Sequence, residues 1–328
     1  MIKYKPDASF KQPRFSGITT FMRLPHVQTL EDIDFLVAGV PFDTGQTFRT
    51  GARFGPKAIR ESSVLTRTFS PYHQLNLFDY VSGVDYGDIS VIPGFIKETY
   101  DKMVEELTPI YEKGIVPIII GGDHSITLGE LRAAAKTYGP LALLQFDSHC
   151  DTWDTYFGQK YTHGTPFRRA VEEGLIDTAH SIQIGIRGSL NHPNDVQDAK
   201  DLGFQVVTTE ELVEMGTQNI VSMIRDRVQD RPVFMTFDID FIDPAFAPGT
   251  GTPEVGGVMS REALAILRRL NDIRFIGFDL VETLPAYDHD QITSALAANL
   301  IFEMISLIAL QKRKEQAPAL ALDVPNSL

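Results

Sequence analysis

Short apolar runs, each followed by a loop and then by a stretch with apolar positions every three or four residues, recur along most of the chain. The runs predict strands at Asp34–Val40, Val81–Asp85, Ile115–Ile120, Leu141–Phe146, Ser181–Ile186, Phe204–Val207, Val233–Phe237 and Arg274–Phe278. The amphipathic stretches predict helices, among them Phe95–Lys113, Thr127–Tyr138, Glu210–Val228 and Arg261–Leu270, with Gly114 as a helix stop. A strand with one wet face would alternate polar and apolar. Near-continuous apolar strands instead describe a parallel sheet covered on both faces. No linker or repeat divides the pattern, so the expectation is a single three-layer α/β domain, residues 31–310, with a mostly parallel eight-stranded sheet. Residues 1–30 read as an N-terminal extension and residues 311–328 as a mobile C-terminal tail, since the latter mix charge, Pro and Ala without a period. The segment Ile292–Leu310 is apolar enough to suggest a membrane span. Its Asn299, Glu303 and several Ser and Thr are costly in hydrocarbon, so a core helix is expected.

Composition narrows the function. With 328 residues, 43% of them hydrophobic, the chain can bury a large core. A net charge of −13 disfavours phosphate backbones and anionic lipid, which require basic surface, and mildly favours small cations. The expected partners therefore include neither nucleic acid nor membrane. One cysteine, Cys150, rules out an internal disulfide framework and fits a cytoplasmic setting. The first ten residues lack the apolar core of a signal peptide.

Ligands of open α/β sheets gather beyond the carboxyl ends of the strands. Three predicted strands end there in polar clusters: Gly121-Gly122-Asp123-His124-Ser125, Asp147-Ser148-His149-Cys150-Asp151 and Asp238-Ile239-Asp240. Side chains two apart on an extended strand share a face, so Asp147, His149 and Asp151 are expected together, as are Asp238 and Asp240. Ser148 and Cys150 would then point away. Four carboxylates brought to one place repel unless cations or protons intervene. Oxygen-rich ligation with imidazole and no thiolate points to two Mn²⁺ ions, with Zn²⁺, Ni²⁺ or Co²⁺ as alternatives. Any one of these Asp residues alone reads as a helix cap or turn former, and His124 alone as a turn residue. Asp123 reads as the cap of a helix starting at Ser125. No phosphate-binding glycine motif and no nucleophile-elbow motif competes.

The sequence resembles the ureohydrolase family, which includes agmatinase, arginase and guanidinobutyrase. The resemblance rests on GGDHSIT at 121–127, FDSHCDTWD at 146–154, HGTPF at 163–167, FDIDFIDPAFAPGTGTPEVGG at 237–257 and DLVETLPAYDHDQIT at 279–293. It implies a binuclear metal hydrolase that cleaves a linear guanidino compound to urea and an amine. One metal would be held by His124, Asp147, Asp151 and Asp238, the other by Asp147, His149, Asp238 and Asp240. Asp151 would also orient the attacking hydroxide, His163 would exchange the proton that the departing amine needs, and Glu282 would grip the guanidinium. Thr252 would line the pocket. The family also implies a homo-trimer or homo-hexamer. Read alone, His163 is a surface-loop histidine and Glu282 an ordinary surface charge.

Selectivity is expected from the loop between Asp151 and His163. Arginases carry there an Asn and a Ser/Thr-rich segment for the α-carboxylate of arginine, and this chain has Trp153 at the Asn position, which disfavours arginine. Asp154, with Trp153 or Tyr156 as a cation–π face, would hold the ammonium of agmatine. The other reading of Trp153 is packing beneath the loop. Arg49, Arg53 or Lys160 could instead pair with a carboxylate tail, which keeps 4-guanidinobutyrate or another guanidino acid open. A non-catalytic binding protein on the same fold would show no turnover with Mn²⁺. A hydrolase of formimino compounds would release ammonia or formamide rather than urea.

Overall fold

The computed structural model describes residues 2–8 and 11–320. Among the described residues there are ten strands: β1 Phe35–Val40, β2 Phe69–Ser70, β3 Leu75–Asn76, β4 Gly83–Asp88, β5 Val116–Gly121, β6 Ala142–Phe146, β7 Ile182–Ile186, β8 Gln205–Thr208, β9 Val233–Asp238 and β10 Phe275–Val281. Eight of them form one sheet in the order β4-β1-β5-β10-β9-β6-β7-β8. Each of its seven pairings is parallel. These eight are the strands expected from the apolar runs. The two-residue strands β2 and β3 form a separate antiparallel hairpin, too short to leave a sequence signal.

Eight α-helices among the described residues accompany the strands: α1 Gly55–Ser63, α2 Ile96–Glu112, α3 Thr127–Tyr138, α4 Pro166–Glu172, α5 Asp195–Asp201, α6 Thr209–Val228, α7 Ser260–Leu267 and α8 Ile292–Leu320. Alternation along the strands divides the core into two layers. Val37, Ile118, Ile120, Leu144 and Phe237 pack with residues of α1, α6, α7 and α8, while Leu36, Ala38, Ile119, Leu143 and Phe234 pack with residues of α2, α3, α4 and α5. The sheet is thus buried on both faces, which is why its strands read as unbroken apolar runs.

Three local features differ from expectation. Helix α6 is interrupted at Gly216, whose φ of 73° is not helical. The expected boundary at 310 is not a helix end, because α8 continues to Leu320. Residues of its added turns are fastened to the domain, Lys312 to Asp34 at 3.4 Å and Lys314 to Asp272 at 2.6 Å. Of the expected mobile tail, residues 311–320 are therefore helical, and 321–328 lie outside the described residues. The N-terminal extension is also partly built in: Phe21, Met22 and Leu24 are buried, and Phe21 N donates to Asp85 Oδ2 at 2.7 Å. Helix α8 is long and apolar enough to cross a membrane by composition, yet most of it is buried against the sheet. It is a core helix.

Candidate active site

Four adjacent strands, β5, β10, β9 and β6, deliver the expected site residues at their carboxyl ends. After β5 the chain passes so close to Phe42 that a Cβ on Gly122 would lie 1.6 Å from the Phe42 carbonyl oxygen, so only glycine fits. Asp123 then caps the short helix 124–126, accepting from Ser125 N at 3.0 Å, as the sequence suggested. On β10, Val281 pairs with Asp238 of β9, so Glu282 emerges beside the Asp-x-Asp motif.

Strand alternation is not what assembles the cluster. Strand β6 ends at Phe146, and the backbone then folds on itself: His149 N donates to Asp147 Oδ1 at 2.7 Å, and Asp151 adopts a left-handed φ of 51°. Asp240 likewise lies in a turn of 3-10 helix whose N–H is capped by Asp238 Oδ1 at 2.8 Å. Ser148 does not point away. Its hydroxyl donates to Asp240 Oδ1 at 2.7 Å and lies 3.1 Å from His149 Nδ1. The expected residues therefore converge, but through turns in which Asp147 and Asp238 each accept from the N–H two residues on. Cys150, outside the cluster, is pushed up to about 12 by burial and the carboxylates beside it.

His124 Nδ1 lies 3.0 Å from Asp147 Oδ2, 2.9 Å from Asp151 Oδ2 and 3.4 Å from Asp238 Oδ2. His149 Nδ1 lies 3.1 Å from Asp240 Oδ2 and 3.5 Å from Asp147 Oδ1. Two groups of converging ligand atoms result, His124–Asp147–Asp151 and Asp147–His149–Asp240, with Asp147 common to both. The buried His124 Nδ1 meets none of its three oxygens in hydrogen-bond geometry. Its other ring nitrogen is 2.8 Å from Thr236 Oγ1, and Thr236 sits opposite Asp279 in the β9–β10 ladder. With a proton on Nε2 shared with Thr236, Nδ1 presents a lone pair to three carboxylates, an arrangement that suits a cation between them. The donor set fits a pair of hard divalent ions.

Without ions the cluster is electrostatically frustrated. Burial, then Asp240 and Asp147, push Asp238 well above the ordinary carboxyl range. Burial and Asp147 raise Asp151. Asp147 goes the other way: burial opposes its ionisation, but His124 and His149 outweigh it and hold it low. Burial alone would lower both histidines, and the surrounding carboxylates reverse that direction.

His163 and Glu282, neither legible as functional from its local sequence, form a buried pair beside this cluster. His163 Nδ1 is 3.0 Å from Glu282 Oε1 and His163 Nε2 is 2.7 Å from Thr47 Oγ1. Burial would raise Glu282, but His163, the His124 N–H and Gln46 hold it below its ordinary range. The carboxylate raises His163 in turn, against the effect of burial. Glu282 takes a left-handed φ of 62°, a conformation costing about 1–3 kcal/mol for a non-glycine residue. Gln46 and Thr47 were missed by the sequence reading, because nothing in GQTFRTG marks them.

Residues 33–306 match the arginase family. The proclavaminate amidinohydrolase of Streptomyces clavuligerus is 44% identical over 90% of this chain and 95% of its own length. The chain belongs to the arginase family. The structure solved for that amidinohydrolase superposes with a TM-score of 0.88, covering 91% of this chain and 99% of the other. Two further relatives, each 42% identical, are the guanidinobutyrase of Pseudomonas aeruginosa (93% of this chain, 97% of the relative) and the mitochondrial agmatinase of Gallus gallus (92% and 89%). The protein is thus a hydrolase of guanidino C–N bonds within a family that depends on a binuclear metal centre.

A substrate of this arginase-family chain would have to reach the His–Asp cluster. A cavity of about 520 Å³ opens there, lined among others by His149, Asp151, Trp153, Tyr156, His163 and Thr252. Trp153 and Tyr156 stack with centroids 4.8 Å apart and planes 7° off parallel. Trp153 also packs over Gly164, where an added Cβ would lie 2.7 Å from its ring. Trp153 is therefore packed beneath the loop, and it also forms part of the cavity wall. Asp154 does not line the cavity. Its carboxylate is drawn off to Arg169 at 2.7 Å. Arg49, Arg53 and Lys160 are absent from the wall as well: Arg53 pairs with Asp43, and Arg49 lies over the Tyr287 ring at 4.7 Å. Arg187 does line the cavity, but its guanidinium is taken up by the backbone carbonyls of Gly185, Asp240, Phe241 and Glu254. The wall also carries Glu254 and Asp195, two carboxylates that the sequence reading did not single out.

Proposed function

We propose that this protein hydrolyses agmatine to putrescine and urea, using two Mn²⁺ ions held by His124, Asp147, Asp151 and Asp238 and by Asp147, His149, Asp238 and Asp240. The observation that carries the chemistry is the unpartnered, buried His124 Nδ1 facing three carboxylates, beside the Glu282–His163 pair. When bound, such ions supply Lewis acidity and a hydroxide-like nucleophile at neutral pH.

The chain's own residues do the rest. Glu282, ionised and buried, holds the planar guanidinium by charge-assisted hydrogen bonds. Asp151, at the cavity floor, orients the attacking oxygen toward the guanidinium carbon. As the C–N bond breaks, the departing nitrogen needs a proton, and His163 at the cavity wall delivers it and recovers one from solvent. A cationic tail is favoured because Glu254 and Asp195 are negative and the only arginine in the described wall, Arg187, is already saturated. The names of the guanidinobutyrase and proclavaminate amidinohydrolase relatives support the second reading, a guanidino acid such as 4-guanidinobutyrate.

A panel assay separates these. Urea release by the Mn²⁺-loaded protein is measured with agmatine, 4-guanidinobutyrate, 3-guanidinopropionate, arginine and guanidine. The highest kcat/KM should fall on agmatine. A preference for either guanidino acid replaces the first reading with the second, and no urea from any of the five refutes both.

A further inference from the structure

Two consecutive residues of the loop after β1 reach the pair assigned to the guanidinium and to proton transfer. Thr47 touches His163, and Gln46 Nε2 donates to Glu282 Oε2 at 2.6 Å. The loop is well fastened. Buried Asp43 accepts from Gly51 N at 2.8 Å and pairs with the Arg53 guanidinium. Gly45 N donates to Asp123 Oδ2 at 2.7 Å, while Gly45 O accepts from His163 N at 3.1 Å. Across from Gln46, the chain is glycine at 251, where a Cβ would lie 3.2 Å from both Gln46 Nε2 and Glu282 Oε2.

Counting donors and acceptors exposes one atom too many. Glu282 Oε1 accepts from His124 N and faces His163 Nδ1, and Oε2 accepts from Gln46. The amide orientation of Gln46 is fixed, since only its NH₂ can face a carboxylate. That leaves Gln46 Oε1 buried, with no donor among the described residues. Buried acceptors are rarely left so, and each one calls for an explanation. An alkylguanidinium brings five N–H donors, more than one carboxylate with both oxygens already engaged can accept.

We propose that Gln46 completes the guanidinium grip: its Nε2 holds Glu282 in place and its Oε1 accepts an N–H from the bound cation. The assignment rests on the reading of Glu282 as the guanidinium partner. It also explains the amide at this position, because a second carboxylate beside Glu282 would repel it.

The test compares wild type, Gln46→Met and Gln46→Leu, all Mn²⁺-loaded. Binding of guanidinium ion and of putrescine is followed by calorimetry, beside urea release, metal content and Tm. Gln46→Met should weaken guanidinium binding about 10–100-fold, the loss of one charge-assisted hydrogen bond. Putrescine binding, metal content and Tm should stay within error, because putrescine has no guanidinium. Gln46→Leu, which also removes both polar atoms and leaves Gly251 and Glu282 unchanged, should show the same selective loss and serves alone if Gln46→Met does not fold. Equal losses for guanidinium and putrescine, or a loss that tracks metal content, would make Gln46 mere scaffolding and overturn the proposal. An active wild type with unchanged variants overturns the Gln46 assignment only. A wild type that binds guanidinium through Gln46 but releases no urea overturns the hydrolytic reading only, and one that binds no guanidinium overturns both.

Discussion

The substitution Glu282→Gln removes one charge from the site while leaving its shape. The carboxylate is buried and ionised, and it belongs to neither group of converging ligand atoms. The amide introduced there would retain one acceptor for the His124 N–H and His163, and its new NH₂ would meet the NH₂ of Gln46. That conflict is removed by turning over the Gln46 amide, whose Oε1 has no competing donor. Loss of the buried pair with His163 should lower stability by about 1–3 kcal/mol, and bound metal should be unchanged. The substrate, by contrast, loses its counter-charge. Two unit charges about 4 Å apart interact by about 4 kcal/mol at an effective dielectric of 20. With a neutral hydrogen bond kept in exchange, a net loss of about 3–4 kcal/mol remains, which is about 10²–10³-fold in kcat/KM. Urea release with agmatine, elemental analysis for manganese and a melting curve make up the assay. A variant with full metal content and kcat/KM within about threefold of wild type would refute the assignment of Glu282, and metal loss would refute the claim that it stands outside the ligand set.

Three other outcomes are expected. Gly122→Ala should leave little soluble protein, because its methyl group would sit 1.6 Å from the Phe42 carbonyl oxygen and the backbone has no free rotamer to yield; a soluble variant with wild-type Tm would contradict this. Thr236→Val removes the hydroxyl that fixes the His124 ring and should weaken metal binding about 10–100-fold in a chelator competition, an effect absent if Thr236 merely packs. Asp238, Asp151 and Asp123 all have folded-state values above their ordinary 3.8, through burial first, with Asp123 at about 7. His124, His149 and His163 are raised above 6.5. Each therefore stabilises the metal-free fold fully below its unfolded value and loses that contribution as pH rises through the folded one. Asp147 and Glu282, held low, act in the opposite sense and lose their contribution only in acid. The Tm of metal-free protein should fall as pH rises across the neutral range, through the Asp123 value of about 7, and Mn²⁺ should restore it most at the alkaline end, where ligands need shed no protons. A metal-free Tm that rises over this range would contradict the scheme.

The sequence by itself determined the α/β class, the eight sheet strands and the acidic and imidazole residues that converge in the candidate site. Burial on both faces forces strands to read as apolar runs, and polar residues gathered at the ends of such runs are conspicuous. Asp123 as a cap was equally legible, since capping is local. Tertiary structure alone decided strand order, and so put the ends of β5, β10, β9 and β6 side by side. It decided that turns, not strand alternation, aim Asp151 and Asp240, because a left-handed φ and a 3-10 turn leave no periodic trace. It also decided partners. Asp154 and Arg53 looked available for a substrate tail until Arg169 and Asp43 claimed them, while Glu254 and Thr47 were brought to the cavity wall and Gln46 to Glu282, all three unremarkable in the chain. Periodicity records which face of an element is buried. Which distant side chain answers a given charge depends on the packing of the whole domain.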